Sequence, residues 1–492
     1  MAETADWRQR SRELALDTRA VIDGTRVASL AGPAVDSVDP ATGEVLVTTT
    51  SAGPADVDRA VASARRAFDG WSSRTAPDRS AILLRFADLL DEHAAELGLL
   101  DTLEMGMPIA GSTGDVAVAS SLVRWCAEAA GKTPDALLPG AGDGLRMNLR
   151  VPRGVVGAIT PWNFPTFNVV SKLAPALATG NVVVAKPSEI AGLSALRIGD
   201  LLLDAGLPAG VVNVVPGLGT VAGEALAGHP DVDFVSFTGS TAVGRHLMEV
   251  SARSNLKPLS LELGGKSPQV VFASARDLDV VADAVCAAVF WNSGQVCTAG
   301  SRLIVEEDVR DELVEKILSR ARAITIGDPL DPSTTHGPLA TAGQRDRVES
   351  LVDEALAGGA EVLAGGRRSA APAGGFGYEP TIIRGADATL GQEIFGPVLS
   401  VRTFRGAEEA IALANDTEYG LAAYVWSGEP RTAHAVARAI RCGSVVVNPD
   451  PGDEAEPVGA VVEPARASGF GPEGGMAGMH AYTRWQSISL NL

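Results

Sequence analysis

Cysteine is scarce in this chain of 492 residues, which contains only Cys126, Cys286, Cys297 and Cys442. No two of them have C-x-x-C spacing, so a thiolate metal site is not expected. Four cysteines in so long a chain do not make a disulfide framework, and reduced thiols fit a cytosolic enzyme better. The sequence therefore predicts a cytoplasmic protein with no metal site.

Long apolar runs and excess positive charge are missing too. No stretch of about 18 apolar residues occurs, so no membrane span is expected, and the charged N-terminus lacks the apolar core of a secretory signal. The net charge of −19 argues against nucleic acid or an anionic membrane as a partner. The histidines form no ligand-spaced cluster and no G-x-x-x-x-G-K-[ST] loop exists, so triad hydrolases and P-loop enzymes are poorly supported.

The length and the apolar pattern predict an α/β protein with at least two domains. A single core stops growing at about 250–300 residues, and this chain is much longer. A polar helix is predicted over 1–20, a hairpin turn at Asp23–Gly24, and further helices over 54–103 and about 114–131. From residue 151 to about 445, short β-like runs such as GVVGAIT and NVVVAKP alternate with amphipathic helices. That alternation is typical of parallel sheets covered by helices.

Cys297 is the candidate nucleophile. It lies in FWNSGQVCTAGSR, directly after a helical stretch and a polar run. A nucleophilic thiol needs a lowered pKa or a nearby base, and access to substrate. The alternative is a small buried hydrophobe, the commoner state of a cysteine in a large protein. The other three cysteines sit in apolar surroundings and are predicted to be core residues.

Two polar residues stand at tight backbone segments. Glu262 lies in LSLELGGKSPQVV, before a pair of glycines that let the backbone bend closely. A glutamate in apolar surroundings has a raised pKa and acts as a general base near neutral pH; the alternative is a turn residue paired with Lys266. Asn163 lies between two prolines in PWNFP, and so rigid a loop holds an amide toward a developing oxyanion. The alternative is a simple turn asparagine.

Two loops are candidates for dinucleotide binding. In FVSFTGSTAVG, at 234–244, a strand leads through Gly239 to a helix whose N-cap is Ser240, and helix N-termini favour phosphate. In VVVAKPSEI, Lys186 and Glu189 follow an apolar strand, at the end where open α/β sheets bind ligands. A carboxylate there accepts ribose hydroxyls and repels a 2′-phosphate, which favours NAD over NADP. A capping box around Ser188 is the alternative for the second loop.

Together these motifs resemble the aldehyde dehydrogenase superfamily along nearly the whole chain. The matching segments occur in the family's order and approximate spacing: PWNFP at 161–165, KPSE at 186–189, FTGSTAVG at 237–244, LELGGKSP at 261–268, GQVC at 294–297 and EIFGPV at 393–398. Glu262 and Cys297 are 297 − 262 = 35 positions apart, as in the family.

The resemblance implies a role for each matching residue. Cys297 would attack the aldehyde carbonyl, Asn163 and the Cys297 N–H would form the oxyanion hole, and Glu262 would activate the water that hydrolyses the thioester. Lys172 would lie on the proton path. The implied cofactor contacts are Thr160, Pro161, Trp162, Lys186, Ser188, Glu189, Gly219, Phe237, Gly239, Ser240, Leu263, Glu393 and Phe395. The implied substrate walls are Phe164, Phe167, Trp291, Val296 and Thr298.

The resemblance also implies the domain organisation. An NAD-binding, Rossmann-like domain would comprise 1–131 and 153–262, and a catalytic domain 263–447. A small β flap for oligomerisation would comprise 132–152 and 478–492, and a substrate-tunnel loop region 448–477. The implied assembly is a homodimer or homotetramer, and the implied partner a small aldehyde.

Departures from the family pattern concentrate after Asn448. PVGAVVEPARASG, at 457–469, replaces the usual Pro-Phe-Gly-Gly segment, so that Val458 and Ala460 stand for Phe and Gly, and Pro472 stands where an arginine is common. Because this region normally lines the substrate tunnel and joins subunits, the resemblance leaves substrate choice and assembly open.

Segments 261–320 and 393–448 look most like the branch that acts on aminoaldehydes and their γ-glutamyl derivatives. Four acidic residues would attract a cationic amine near the tunnel mouth: Asp450, Asp453, Glu454 and Glu456. A solvated acidic loop is the alternative. Two other functions stay open, namely a catalytically weakened member that acts as a binding or assembly protein, and an acyl-transferring thiol enzyme. Relatives that transfer to coenzyme A usually lack the glutamate at 262, so its presence favours free acid as product.

Overall fold

The structure is a computed structural model of the chain. It describes residues 6–30, 32–138, 144–385, 391–449 and 458–491. The four acidic residues of the predicted tunnel mouth, Asp450, Asp453, Glu454 and Glu456, lie outside the described residues, as does part of the predicted flap.

The N-terminal quarter combines two hairpins with helices. Its elements are α1 (Trp7–Glu13), β1 (Ala20–Ile22), β2 (Thr25–Val27), β3 (Ala34–Val38), β4 (Val45–Thr50), α2 (Pro54–Ser72), α3 (Ala76–Glu92), α4 (Ala94–Met105) and α5 (Ile109–Ala129). The predicted turn at Asp23–Gly24 is confirmed, since both residues have positive φ, 55° and 73°, as a two-residue hairpin requires. The predicted first helix is shorter than 1–20 and ends at Glu13.

The first sheet begins after the helices. Its strands are β7 (Val155–Ile159), β8 (Val182–Lys186), β9 (Val212–Val214), β10 (Phe234–Thr238) and β11 (Leu259–Glu262), and they alternate with α6 (Pro165–Ala178), α7 (Leu193–Asp204), α8 (Glu224–Gly228) and α9 (Thr241–Arg253). Among the described residues eight strands, which include the short β19 (Gly469–Phe470), join in the order β19-β11-β10-β7-β8-β9-β1-β2, and β11 to β9 run parallel. Their apolar runs are buried, as parallel strands covered on both faces require.

The second sheet follows in the sequence. Its strands are β12 (Pro268–Val271), β13 (Arg302–Glu306), β14 (Glu361–Ala364), β15 (Thr381–Arg384), β16 (Val398–Phe404), β17 (Ala422–Trp426) and β18 (Ser444–Val447), and its helices are α10 (Leu278–Phe290), α11 (Arg310–Ala323), α12 (Ala342–Ala357), α13 (Ala407–Asn415) and α14 (Pro430–Ala439). The strand order within the described residues is β14-β15-β16-β13-β12-β17-β18, and only the β14–β15 pair is antiparallel. Two parallel-sheet α/β units are therefore confirmed.

A third, small sheet joins the middle of the chain to its end. It consists of β5 (Ala136–Leu138), β6 (Leu145–Pro152) and β20 (Thr483–Leu490), with β20 antiparallel to β6 along its full length. Between the second sheet and this one lie the two-residue strand β19 (Gly469–Phe470) and α15 (Gly475–Ala481). β19 pairs with the edge strand β11 of the first sheet, opposite Leu261 and Glu262.

The topology places the candidate residues at one edge. Parallel strands end at the same side of a sheet, so Thr160, Lys186, Thr238 and Glu262 all stand at the carboxyl edge of the first sheet. Within the described ranges no helix is long and apolar enough to cross a bilayer.

Candidate active site

Cys297 is carried by an irregular loop after α10. The helix ends at Phe290, and the next residues form one tight turn in which Asn292, Ser293 and Gly294 all have positive φ, 47°, 54° and 71°. Left-handed backbone in non-glycine residues is costly and persists only where the surroundings enforce it. Strain of this kind is concentrated at functional sites, which marks the loop independently of its sequence.

Buried hydrogen bonds enforce this backbone. The Asn292 amide donates to the Asn163 carbonyl at 2.9 Å, and the Ser293 hydroxyl donates to the Gly337 carbonyl at 2.8 Å. The Gln295 side-chain oxygen accepts from the Ala340 N–H at 2.9 Å. These bonds hold the loop that precedes Cys297 to two separate parts of the chain, Asn163 and the segment 337–340.

Asn163 lies beside this loop. Its Nδ2 donates to the Gln295 carbonyl at 2.9 Å, and its position follows from the Pro161–Pro165 bracket at the start of α6. An amide nitrogen carries two hydrogens, so one remains after this bond. The remaining N–H lies next to the loop that carries Cys297 and is available to an oxygen atom of a bound molecule.

The thiol of Cys297 is half-buried, and burial raises its pKa to about 12, with the charges of Glu262 and Glu393 adding to the effect. The group is therefore a thiol and needs a base for attack. Cys126 is buried, while Cys286 and Cys442 are half-buried and pack against the apolar cores. Their predicted place in the core thus holds fully for Cys126 and in part for the other two.

Glu262 is the last residue of β11 and is buried. One of its carboxylate oxygens, Oε1, has no hydrogen-bond partner among the described residues. Burial raises its pKa well above the usual range, Glu473 and Glu463 raise it further, and Lys172 opposes them. The alternative pairing with Lys266 is wrong, because the Lys266 amine has no partner in the described chain. A carboxyl group with a pKa raised in this way can take up a proton closer to neutral pH.

A buried ion pair lies next to this carboxyl group. The fully buried amine of Lys172, on α6, contacts Glu473 Oε1 at 2.6 Å. The sequence reasoning missed Glu473, which lies in the segment that departs most from the family pattern. The sequence feature that could have indicated Glu473 is that it is a lone charged residue in an otherwise apolar stretch, five residues after Ser468.

The two glycines after Glu262 permit the closest contacts of the site. A Cβ on Gly265 would overlap the Cys297 carbonyl oxygen, and a Cβ on Gly264 would overlap the carboxylate of Glu393. The Gly265 N–H donates to Glu393 Oε1 at 2.9 Å. The segment of the base and the segment of the thiol are therefore in direct backbone contact.

Lys186 and Glu189 lie together at the carboxyl end of β8. The Lys186 amine donates to Glu189 Oε2 at 3.2 Å, and burial lowers its pKa while Glu189 opposes the change. Gly219 leaves room above the amine, since its Cβ would be 4.0 Å from Nζ. Ser188 accepts from the Ile190 N–H at 3.2 Å, but α7 begins only at Leu193, so the capping-box alternative is wrong.

The N-terminus of α9 provides an anion-binding edge. Ser240 is its N-cap and accepts from the Val243 N–H at 3.4 Å. Gly239 packs against the ring of Phe237, and a side chain at position 239 would overlap that ring. Gly244 packs against Leu263, since a Cβ at position 244 would lie only 2.6 Å from Leu263 Cδ2. Small residues thus bring the helix N-terminus close to the sheet edge, as phosphate binding requires.

Aromatic rings wall the space near the thiol. Phe164 and Trp291 stack with 5.1 Å between ring centroids, and Trp162 meets Phe395 edge to face at 5.5 Å. Phe167, Val296, Met105 and Met107 belong to the same apolar cluster, and the two methionines are additions that sequence reasoning missed. The Tyr424 hydroxyl donates a hydrogen bond to the backbone carbonyl of Thr298 at 3.1 Å.

The sheet edge fits a dinucleotide. Two buried hydroxyls there, Thr160 Oγ1 and Thr238 Oγ1, have no partner among the described residues, and such orphaned groups at a ligand edge are acceptors or donors for a bound molecule. Glu189 offers a carboxylate for ribose hydroxyls and Ser240 a helix N-terminus for phosphate. In the described part of the chain no group of His, Cys, Asp or Glu is placed to hold a metal ion.

This fold and site are those of the aldehyde dehydrogenase family, to which the chain belongs, because the family model matches residues 27–488. An aminoacetaldehyde dehydrogenase of Pseudomonas aeruginosa is 46% identical over 465 residues, or 93% of this chain and 92% of its own length. The NADP/NAD-dependent aldehyde dehydrogenase PuuC of Escherichia coli is 41% identical over 99% of this chain and 98% of its own. The protein is accordingly an oxidoreductase of this family.

Solved structures agree over the full length. The indole-3-acetaldehyde dehydrogenase AldA of P. syringae, in complex with NAD+ and IAA, is 44% identical with a TM-score of 0.96, and the alignment covers 99% of each chain. The γ-glutamyl-γ-aminobutyraldehyde dehydrogenase of Burkholderia cenocepacia is 44% identical with a TM-score of 0.95, again over 99% of each chain. The predicted fold and the predicted likeness to the aminoaldehyde branch are confirmed.

Proposed function

We propose that the protein oxidises an aldehyde to the carboxylic acid with NAD, through a thiohemiacetal and a thioester on Cys297. The observation that carries the proposal is the backbone contact between Gly265 and Cys297, which brings the buried Glu262 to the nucleophile loop. A thiol and a carboxyl group that are distant in sequence are thereby available to one carbonyl carbon.

The first half-reaction makes the thioester. The Cys297 thiol gives its proton to solvent water and its sulfur bonds to the carbonyl carbon. The carbonyl oxygen becomes an oxyanion bound by the free Nδ2 hydrogen of Asn163 and the Cys297 N–H. Bound NAD supplies the acceptor for the hydride that leaves this carbon. The carbon–oxygen double bond then re-forms, and the acyl group stays on sulfur.

The second half-reaction hydrolyses the thioester. Glu262 takes a proton from water, the water oxygen bonds to the acyl carbon, and the bond from carbon to the Cys297 sulfur breaks. The product leaves as the carboxylate, and the second proton of the water returns the Cys297 sulfur to the thiol. The Lys172–Glu473 pair beside Glu262 offers a route for its proton to leave, since Glu473 is partly exposed to solvent while Lys172 is buried.

The cofactor contacts follow from the sheet edge. Lys186 and Glu189 hold the adenosine ribose, Ser240 and Trp162 face the pyrophosphate, and Glu393 with Phe395 lie on the nicotinamide side. The remaining proposed contacts line the same edge: Thr160, Pro161, Ser188, Gly219, Phe237, Gly239 and Leu263. We propose NAD over NADP because the Glu189 carboxylate repels a 2′-phosphate.

The substrate is proposed to be an aldehyde with an apolar or amine-bearing body. Phe164, Phe167, Trp291 and Val296 give an aromatic and apolar wall, with Thr298 beside the thiol. Aromatic faces accept apolar groups and also alkylammonium groups. Relatives named for aminoacetaldehyde and γ-glutamyl-γ-aminobutyraldehyde support the amine-bearing class.

Assembly as a homodimer or homotetramer is proposed through the small sheet. Leu137, Trp485 and Leu490 are exposed on it, with 72%, 50% and 42% of their surfaces free. Large apolar side chains clustered on a surface mark interaction sites. The domain boundaries given above and a cytoplasmic location complete the proposal.

An aldehyde panel ranked by kcat/KM, with the product identified, tests the function. Growth of the NADH band with free acid as product is expected. NAD binding without turnover on any aldehyde would favour a weakened member that serves as a binding or assembly protein. Product that forms only with coenzyme A would favour an acyl-transferring enzyme.

A further inference from the structure

A polar cleft lies beside the segment that joins Glu262 to β12. It is formed by the residues before β12, by the turn after α13 and by the residues between α14 and β18, and its lining includes Lys266, Ser267, Tyr419 and Cys442. None of the residues assigned above to catalysis, cofactor or substrate lines it. The cleft therefore needs its own explanation.

Two buried polar side chains line this cleft without a partner. Lys266 and Ser267 are each only 2% exposed, and neither Lys266 Nζ nor Ser267 Oγ has a hydrogen-bond partner in the described part of the chain. A lysine amine has up to three donors, and a hydroxyl has one. Buried donors of this kind cost free energy unless an acceptor satisfies them, and a buried charge costs more than a neutral group.

A second buried cation adds to the local positive charge. Arg302 is 4% exposed and donates to the carbonyl groups of Lys266, Leu413 and Ala414 at 2.8, 3.0 and 2.8 Å. Those carbonyls satisfy its hydrogen bonds but carry no net charge. Burial and Arg302 lower the pKa of Lys266 to about 7, although Glu393 opposes them from a distance. Among the described residues no carboxylate contacts either cation.

We propose that this cleft binds one monatomic anion of the halide class, held by Lys266 Nζ and Ser267 Oγ. The space in the cleft that the centre of a water-sized particle can reach is about 10 Å³, which is room for about one such particle. A water molecule would satisfy the donors but leave two buried cations uncompensated, whereas a halide satisfies both the donors and the charge.

The anion would stabilise the segment that carries the proposed base. Lys266 follows Gly265, whose backbone contacts Cys297 and donates to Glu393, and Glu262 lies four residues before Lys266. A ligand that binds the native state alone shifts the unfolding equilibrium in proportion to its occupancy. Halide is therefore expected to raise the melting temperature through this segment.

Anomalous diffraction locates the anion directly. Crystals grown in bromide are expected to show an anomalous peak in the cleft between Lys266 and Ser267. Crystals of the Lys266→Met variant are expected to lack that peak, and those of Lys132→Met, which removes an exposed lysine, to keep it. Water alone in the bromide crystals of the wild type would overturn the proposal.

Melting curves give the second readout. At equal ionic strength, chloride is expected to raise the melting temperature of the wild type by about 2 °C over gluconate, and to do so in Lys132→Met. The difference is expected to vanish in Lys266→Met. Ser267→Ala, which keeps the cation, is expected to show a reduced difference and serves if Lys266→Met does not fold. An unchanged difference in both cleft variants would contradict the proposal.

Discussion

Lys172 and Glu473, 301 positions apart in the sequence, form a partly buried ion pair with 2.6 Å between Nζ and Oε1, and both charges act on Glu262. Their effects are opposite, since Lys172 lowers the pKa of Glu262 and Glu473 raises it. The pair therefore sets the protonation of the proposed base from two sides.

Substitutions of the two residues should shift the pH profile in opposite directions. Glu262 acts as a base only when ionised, so kcat rises with pH through its raised pKa. Lys172→Met removes the lowering charge and should move this rise to higher pH. Glu473→Gln removes the raising charge and should move it to lower pH. Steady-state kcat measured across pH checks both signs, with exposed Glu249→Gln as control; shifts in one common direction would refute this electrostatic account.

Glu262→Gln should separate the two half-reactions. Without a base for water, the thioester accumulates, so stopped-flow mixing should show a burst of NADH near one equivalent per site. The steady rate after the burst should be lower by about 10²–10⁴-fold. A steady rate equal to that of the wild type would exclude Glu262 as the hydrolytic base.

Cys297→Ala should abolish NADH formation while leaving NAD binding intact, because Cys297 is the cysteine whose backbone contacts the segment of Glu262. The expected loss is at least about 10⁴-fold in kcat, as when a covalent nucleophile is removed. Cys286→Ala, a half-buried cysteine on α10, is the matched control and should keep activity. Turnover that persists in Cys297→Ala would identify a different nucleophile.

Asn163→Ala removes the proposed oxyanion donor. The expected loss is about 10²–10³-fold in kcat with little change in KM, because the bond strengthens only as charge develops on oxygen. Single-turnover kinetics should place the loss before hydride transfer. A fall confined to KM would instead indicate a role in binding, and a large fall in melting temperature a role in holding the loop at Gln295.

Glu189→Gln should relax the choice of cofactor. Without the carboxylate, a 2′-phosphate meets less repulsion, and the ratio of kcat/KM for NADP to that for NAD should rise about tenfold, or about 1.4 kcal/mol. Glu224→Gln, an exposed glutamate paired with His246, should leave the ratio unchanged. A wild-type enzyme that already prefers NADP would overturn this prediction.

Much of the fold follows from the sequence alone. The alternation of apolar β runs with amphipathic helices predicted parallel sheets, and Asp23–Gly24 predicted a hairpin, because both signals are local. The strand β19 was not predicted. Gly469–Phe470 is too short to carry a periodic pattern, and its pairing with β11 depends on chain distant in sequence.

The site residues that lie in a recognisable sequence motif were predicted, and the others were not. Asn163, Glu262 and Cys297 stand in recognisable segments. Glu473 was missed because its role comes from the buried Lys172 that it meets, and Met107 because an apolar helix end looks like core. The strained turn at Asn292 was also invisible, since asparagine is compatible with many loop conformations.

The pairing of Gly469 with Glu262 has a consequence for how such an enzyme changes its substrate. The divergent segment 457–469 ends in β19, which pairs with β11, the strand that ends in the proposed base Glu262. Glu473 follows four residues after Gly469. Selection for a new aldehyde in this segment would therefore also retune how fast the acid is released. Engineered libraries that vary 458–461 and leave 462–473 unchanged should explore new substrates without altering the rate of acid release, because Glu463 and Glu473 both act on the pKa of Glu262.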